Sequence, residues 1–121
     1  MPQILYSSAS PFAAKARMIA THIGYGFAAV AVKTDEMPLN LLAANPLGKI
    51  PALVTDDGKG VFDSKVITQY LNRVSGGKVF PKNAGKRLEA EMLESLADGI
   101  ADCAVACIYE RRLRPEDKYY Q

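Results

Sequence analysis

Two short segments place hydroxyls where a helix is about to begin. Ser10 stands directly before Pro11 and Phe12, and Asp63-Ser64 stands before Val66, Ile67, Tyr70, Leu71 and Val74, whose spacing puts them on one helical face. The first turn of a helix carries unpaired N–H groups and the positive end of the backbone dipole, so Asp63-Ser64 is a candidate anion site. It also reads as an ordinary cap, and the two roles are compatible. Ser10 followed by proline is likewise a common helix start. Lys49 sits near a proline, Pro51, in a turn-rich string, and Asp98 and Asp102 lie one helical turn apart. His22 is the sole histidine and falls on the solvent side of the first expected helix. Cys103 and Cys107 lie four apart on an apolar helical stripe. They read as small core residues, since successive turns hold them too far apart for a good disulfide. With no histidine or further cysteine beside them, zinc ligation is not expected, and no metal is.

The elements that must position these residues follow from the chain as a whole. Its 121 residues are 49% hydrophobic and 23% charged, the proportions of one globular domain. Fifteen basic against 13 acidic residues give a formal charge of +2, scattered along the chain, which argues against nucleic acid as the principal ligand. No apolar run approaches the roughly 20 residues of a membrane span, and Met1-Pro2-Gln3 leads straight into a β-favouring stretch, so no signal peptide is expected. Two cysteines are too few for a disulfide framework, so a cytoplasmic setting is expected.

Gln3 to Ser7 reads as a strand that stops at Ser8-Ala9-Ser10-Pro11. Phe12, Ala16, Ile19, Ala20 and Ile23 then share a helical face, with Gly24 as the stop. Phe27 to Val32 is a second strand, and Thr34 to Asn45 is a loop with a short helix. Ala52 to Thr55 and Val61-Phe62 flank Asp56-Asp57-Gly58-Lys59-Gly60 and read as an antiparallel hairpin. A third helix follows Asp63-Ser64. Ser75 to Ala84 has glycine and proline breaks without periodicity, after which Leu88, Met92, Leu96, Ile100, Cys103 and Cys107 form one long stripe that Pro115 ends near Arg114. A lone amphipathic helix cannot bury its face, so the chain reads as truncated or as borrowing a partner surface. This order predicts an α/β fold: a thioredoxin-like mixed four-stranded sheet with flanking helices, then a linker and one long helix.

Four strings in this order resemble the glutathione transferase family: Tyr6-Ser7-Ser8-Ala9-Ser10-Pro11-Phe12 with Lys15 and Arg17; Asn45-Pro46-Leu47-Gly48-Lys49-Ile50-Pro51-Ala52-Leu53; Phe62-Asp63-Ser64; and Asp98-Gly99-Ile100-Ala101-Asp102. Together they point to a bacterial member of the serine type. The resemblance implies a glutathione-binding domain over 1–75, a linker over 76–84, and over 85–121 the start of an otherwise absent all-helical domain. It further implies glutathione as co-substrate, an electrophilic small molecule as second substrate, and a homodimer.

The resemblance also assigns roles. The Ile50–Pro51 bond is expected to be cis, turning the backbone of Ile50 toward the cysteinyl unit of glutathione, which it would pair as another strand would. Ser64 is expected to hold the γ-glutamyl carboxylate with help from Asp63, Lys49 to meet the glycyl carboxylate or remain solvated, and Phe12 to line the site. Ser10 occupies the place of the reactive cysteine in relatives, where its hydroxyl would donate to the glutathione sulfur; Ser7, Ser8 and Tyr6 are substitutes. A free thiol of pKa about 8.5 is roughly 3% ionised at pH 7, and lowering it by about two units leaves about three-quarters ionised. Asp98 either reaches the glutathione of a second subunit or belongs to a polar face with Asp102. Two other functions fit the same fold: a non-catalytic binding or regulatory protein, and a glutathione-dependent reductase or peroxidase.

Overall fold

The computed structural model describes residues 1–113, with the backbone alone at Leu113. The helix stop assigned to Pro115 lies outside the described residues. Two units are distinguished, Met1–Lys82 and a second beginning at Asn83.

In the first unit β1 (Gln3–Tyr6) leads to α1 (Pro11–His22), β2 (Ala28–Ala31), a 3-10 turn (Thr34–Glu36), α2 (Leu39–Ala44), β3 (Ala52–Val54), β4 (Gly60–Val61) and α3 (Ser64–Val74). The strands form one mixed sheet in the order β2-β1-β3-β4. β2 runs parallel to β1, while β3 is antiparallel to both of its neighbours. This is the expected thioredoxin-like arrangement.

Alternation along the central strands divides the core into two layers. Ile4 and Leu53 pack with Ala16 and Ala20 of α1 and Ile67 and Leu71 of α3. Leu5 and Ala52 pack on the opposite face with Leu41 and Ala44 of α2. All the leucines and isoleucines in this set are fully buried, so β1 and β3 are covered on both faces. Alanine at 13, 16 and 20 gives α1 a smooth buried side on which it approaches closely. Beyond this core, Tyr25 meets Tyr70 edge to face at 6.3 Å between ring centroids. Burial, together with a hydrogen bond to Tyr70, pushes the Tyr25 phenol well above its usual pKa.

Asp56-Asp57-Gly58 does form the hairpin turn, with Gly58 at φ 84° and the Thr55 hydroxyl bonded to the Asp57 carboxylate. The strand after it starts one residue earlier than its apolar pattern suggests, because Gly60 pairs with Val54. Residues 75–80 are tied back onto α3 by Asn72, a buried residue whose Oδ1 accepts from the amides of Val79 (3.1 Å) and Phe80 (3.0 Å).

The second unit is described by one helix, α4 (Ala84–Leu113), of 30 residues and about 45 Å in length. An Arg87–Glu91 ion pair of 2.9 Å spans one of its turns. The apolar stripe is exposed, as at Met92 (63%) and Ile100 (64%). Cys103 and Cys107 are exposed too, which corrects their assignment as core residues. The physical reason is that periodicity marks which face of a helix is apolar and not whether that face is covered.

Gly60 lies against the end of α2. A Cβ there would fall within 2.8 Å of the carbonyl carbon and Cα of Ala44 and closer still to its oxygen. Gly60→Ala is expected to destabilise the chain by about 1–3 kcal/mol, lowering the urea midpoint. An unchanged midpoint would contradict this packing.

Candidate functional site

Sheet register brings three chain segments to one end of the first unit. Leu5 pairs with Ala52 and Leu53 pairs with Val61. The exit of β1 toward Ser10, the entry into β3 through Ile50 and Pro51, and the exit of β4 toward Asp63-Ser64 therefore share a side. Neighbouring strands are about 4.8 Å apart, so β1 and β4 are separated by about 10 Å at this end.

Ser10 has extended backbone angles (φ −87°, ψ 117°) and caps α1, its Oγ accepting from the Ala13 amide at 3.1 Å, with Pro11 as the first helical residue. The oxygen is the acceptor in that bond, so the hydroxyl proton remains available for donation. The preceding turn is fixed by the Ser10 amide, which donates to the Ser7 carbonyl at 3.2 Å. Ser7 Oγ accepts from the Ala9 amide at 3.3 Å, and Ser8 is exposed. Arg17 lies over the Tyr6 ring, 4.1 Å from its centroid, a cation–π contact that bridges β1 and α1. Phe12 is half-buried in the first turn of α1.

The loop into β3 is organised by a residue to which the sequence reading gave no role. Asn45 is 1% exposed; its Nδ2 donates to the Lys49 carbonyl at 3.0 Å, and its Oδ1 accepts from the Leu47 amide at 2.9 Å. Its own amide donates to Leu41 and its carbonyl accepts from Gly48, which stands at φ 65°. An asparagine directly before a proline, in a string that also contains glycine, is the sequence signal of such a turn. The Ile50–Pro51 bond that follows is cis, as expected. Ile50 is half-buried, and its backbone has no hydrogen bond among the described residues. The Lys49 side chain is exposed.

At the third segment Asp63 is the cap of α3, its Oδ1 accepting from the Lys65 amide at 3.1 Å. Ser64 is 5% exposed; its carbonyl accepts from Thr68 Oγ1 at 2.8 Å, and its own hydroxyl has no partner among the described residues. The site thus combines two helix N-termini with the unpaired N–H and C=O of Ile50 between them. Such an arrangement suits a short, extended, anionic peptide.

Two residues from the sequence reading stand apart. Asp98 is on α4, in the second unit, and is not among those the sheet brings together. His22 is exposed at the end of α1, where it borders an open cavity of about 810 Å³ with Arg17, Met18 and Phe27. Among the described residues no group of three or more histidine, cysteine or acidic side chains could hold a metal ion, and no helix is long and apolar enough to cross a membrane.

Comparison with known proteins gives concordant matches. Residues 9–74 match the family described as Glutathione S-transferase, N-terminal domain. An Escherichia coli K12 protein named "Uncharacterized GST-like protein YibF" is 31% identical over 114 residues, which is 90% of this chain and 54% of the relative. A glutathione S-transferase structure from Methylobacillus flagellatus KT with glutathione bound aligns at a TM-score of 0.89 and 34% identity, over 100% of this chain and 60% of that one. A glutathione transferase family member from Pseudomonas fluorescens Pf-5 with bound glutathione aligns at 0.88 and 33% identity, over 99% and 61%. The chain spans about half the length of the Escherichia coli relative.

Replacing Ser10 tests its structural share of the site. Ser10→Ala leaves the Ala13 amide without its cap and is expected to cost about 1 kcal/mol in chemical denaturation, whereas Ser10→Asp keeps an acceptor there and is expected to cost less. Equal stability of the alanine variant and the parent would refute the cap.

Proposed function

Because this chain belongs to the glutathione S-transferase family through its N-terminal domain, we propose that the shared sheet end binds glutathione and stabilises its thiolate for attack on an electrophilic small molecule. The observation that supports this reading is the register that turns the segments leading to Ser10, Ile50 and Ser64 to one end of a sheet whose β1 and β4 lie about 10 Å apart, close to the length of three extended residues.

The α3 N-terminus, with Ser64 and Asp63, takes the γ-glutamyl end. Ile50 offers its unpaired N–H and C=O to the cysteinyl unit, and Lys49 meets the glycyl carboxylate. That orientation turns the cysteinyl sulfur toward β1, where the Ser10 hydroxyl donates to it and the α1 dipole favours its negative charge. Phe12 lines the same turn. The thiolate sulfur then forms a bond to carbon of the electrophile, and the displaced electron pair leaves with the departing group or is protonated at carbon. Holding the two reactants together supplies the rest of the acceleration. A homodimer in which Asp98 serves the neighbouring subunit's glutathione is the assembly proposed to complete the site, in a cytoplasmic setting.

The test is ultraviolet difference absorption of bound glutathione against pH, in the parent, Ser10→Ala and Ser10→Asp. In the parent the thiolate is expected well below the free value of about 8.5. Affinity then rises with pH between the bound and free values, because deprotonation favours the complex. Both variants are expected to return the thiol toward its free value, although aspartate still caps the helix. An unshifted thiol in the parent would overturn thiolate stabilisation.

A further inference from the structure

We propose that Asn45 is a positioning residue of the glutathione site, aiming the Ile50 N–H at the ligand through the Lys49 carbonyl. The inference rests on the glutathione reading above and adds to it a residue that touches no substrate.

The Lys49 carbonyl and the Ile50 N–H are opposite ends of one planar trans peptide unit, so they point in opposite directions. Asn45 Nδ2 holds that carbonyl from within the loop at 3.0 Å. With the carbonyl held there, the Ile50 N–H must face the other way, and it finds no partner among the described residues. Asn45 is itself fixed on every side. Its amide continues the bonding of α2 to Leu41 at 2.7 Å, its carbonyl accepts from Gly48 at 2.9 Å, and Oδ1 accepts from Leu47 at 2.9 Å. With 1% exposure, the side chain has no room for a second rotamer. The ladder of bonds therefore runs from the end of α2, through one buried amide, to the peptide unit that meets the ligand. Lys49 and Ile50 have no equivalent support of their own, since Lys49 is exposed and the Ile50 backbone is unbonded.

The experiment is a glutathione titration of the ¹⁵N-labelled full chain, followed by amide chemical shifts, in the parent, Asn45→Ala and Asn45→Asp. Aspartate preserves the shape and the acceptor for Leu47 but sets an oxygen against the Lys49 carbonyl, so it keeps the test open if the alanine variant unfolds. In the parent, glutathione is expected to shift the amides of Ile50, Ser64 and Lys65. In the variants affinity is expected to fall about tenfold, the cost of one uncompensated polar contact. At saturation the Ile50 shift collapses while those of Ser64 and Lys65 persist. Retention of the Ile50 shift with affinity within about twofold of the parent would overturn the inference. So would a uniform loss of all three shifts, which marks a purely structural role. A parent that shows no shifts at all overturns the glutathione reading itself, and is distinguished from these by being seen before any variant is made.

Discussion

The antiparallel pairing of β3 with both β1 and β4 is the constraint on which the rest of the molecule depends. Three residues, Ala52, Leu53 and Val54, make up that strand. Leu53 closes the layer beneath α1 and α3, and Ala52 closes the layer beneath α2. A slip of one residue would exchange these faces and set a leucine where an alanine fits. The same pairing decides where the chain enters and leaves the sheet, and hence which loops become neighbours. Core packing and site assembly are consequences of a single register.

What that register assembles is chiefly backbone. The N–H and C=O of Ile50, without partners among the described residues, lie between two helix starts, and the side chains there are short: serine, serine and aspartate. Backbone groups and capping residues lose little conformational freedom on meeting a ligand, because their positions are already set by the fold. Ionised groups contribute in a lesser way. Lys49 and Asp63 are exposed, and charges in water are worth little to each other or to a ligand. Specificity on this account comes from matching the length and hydrogen-bonding pattern of a short peptide. Gly60 belongs to the same design at one remove, since only a residue without a Cβ lets β4 lie against the end of α2, from which Asn45 is suspended.

The element order, the two capped helices and the Asp-Gly hairpin were legible in the sequence because each depends on neighbours along the chain. The cis bond before Pro51 was legible through resemblance alone. Contacts between distant segments were not. Gly60 reads locally as a turn residue, and its place in β4 follows from an approach to Ala44, 16 positions earlier. Asn45 reads as one more turn former, and its hold on Lys49 appears only when the loop closes. Cys103 and Cys107 fit a core pattern, but periodicity reports which face is apolar and says nothing of what covers it. The hydroxyl of Ser10 can cap a helix and donate to a ligand at once, so residue type alone does not separate its two roles.

A crystal structure of this chain grown with glutathione tests the central claim most directly. The account predicts one extended tripeptide across the ends of β1, β3 and β4, with its γ-glutamyl carboxylate at Ser64, its cysteinyl backbone paired with Ile50 and its sulfur within hydrogen-bonding distance of the Ser10 hydroxyl. Glutathione bound elsewhere, or lying at this end with the sulfur directed away from β1, would contradict it.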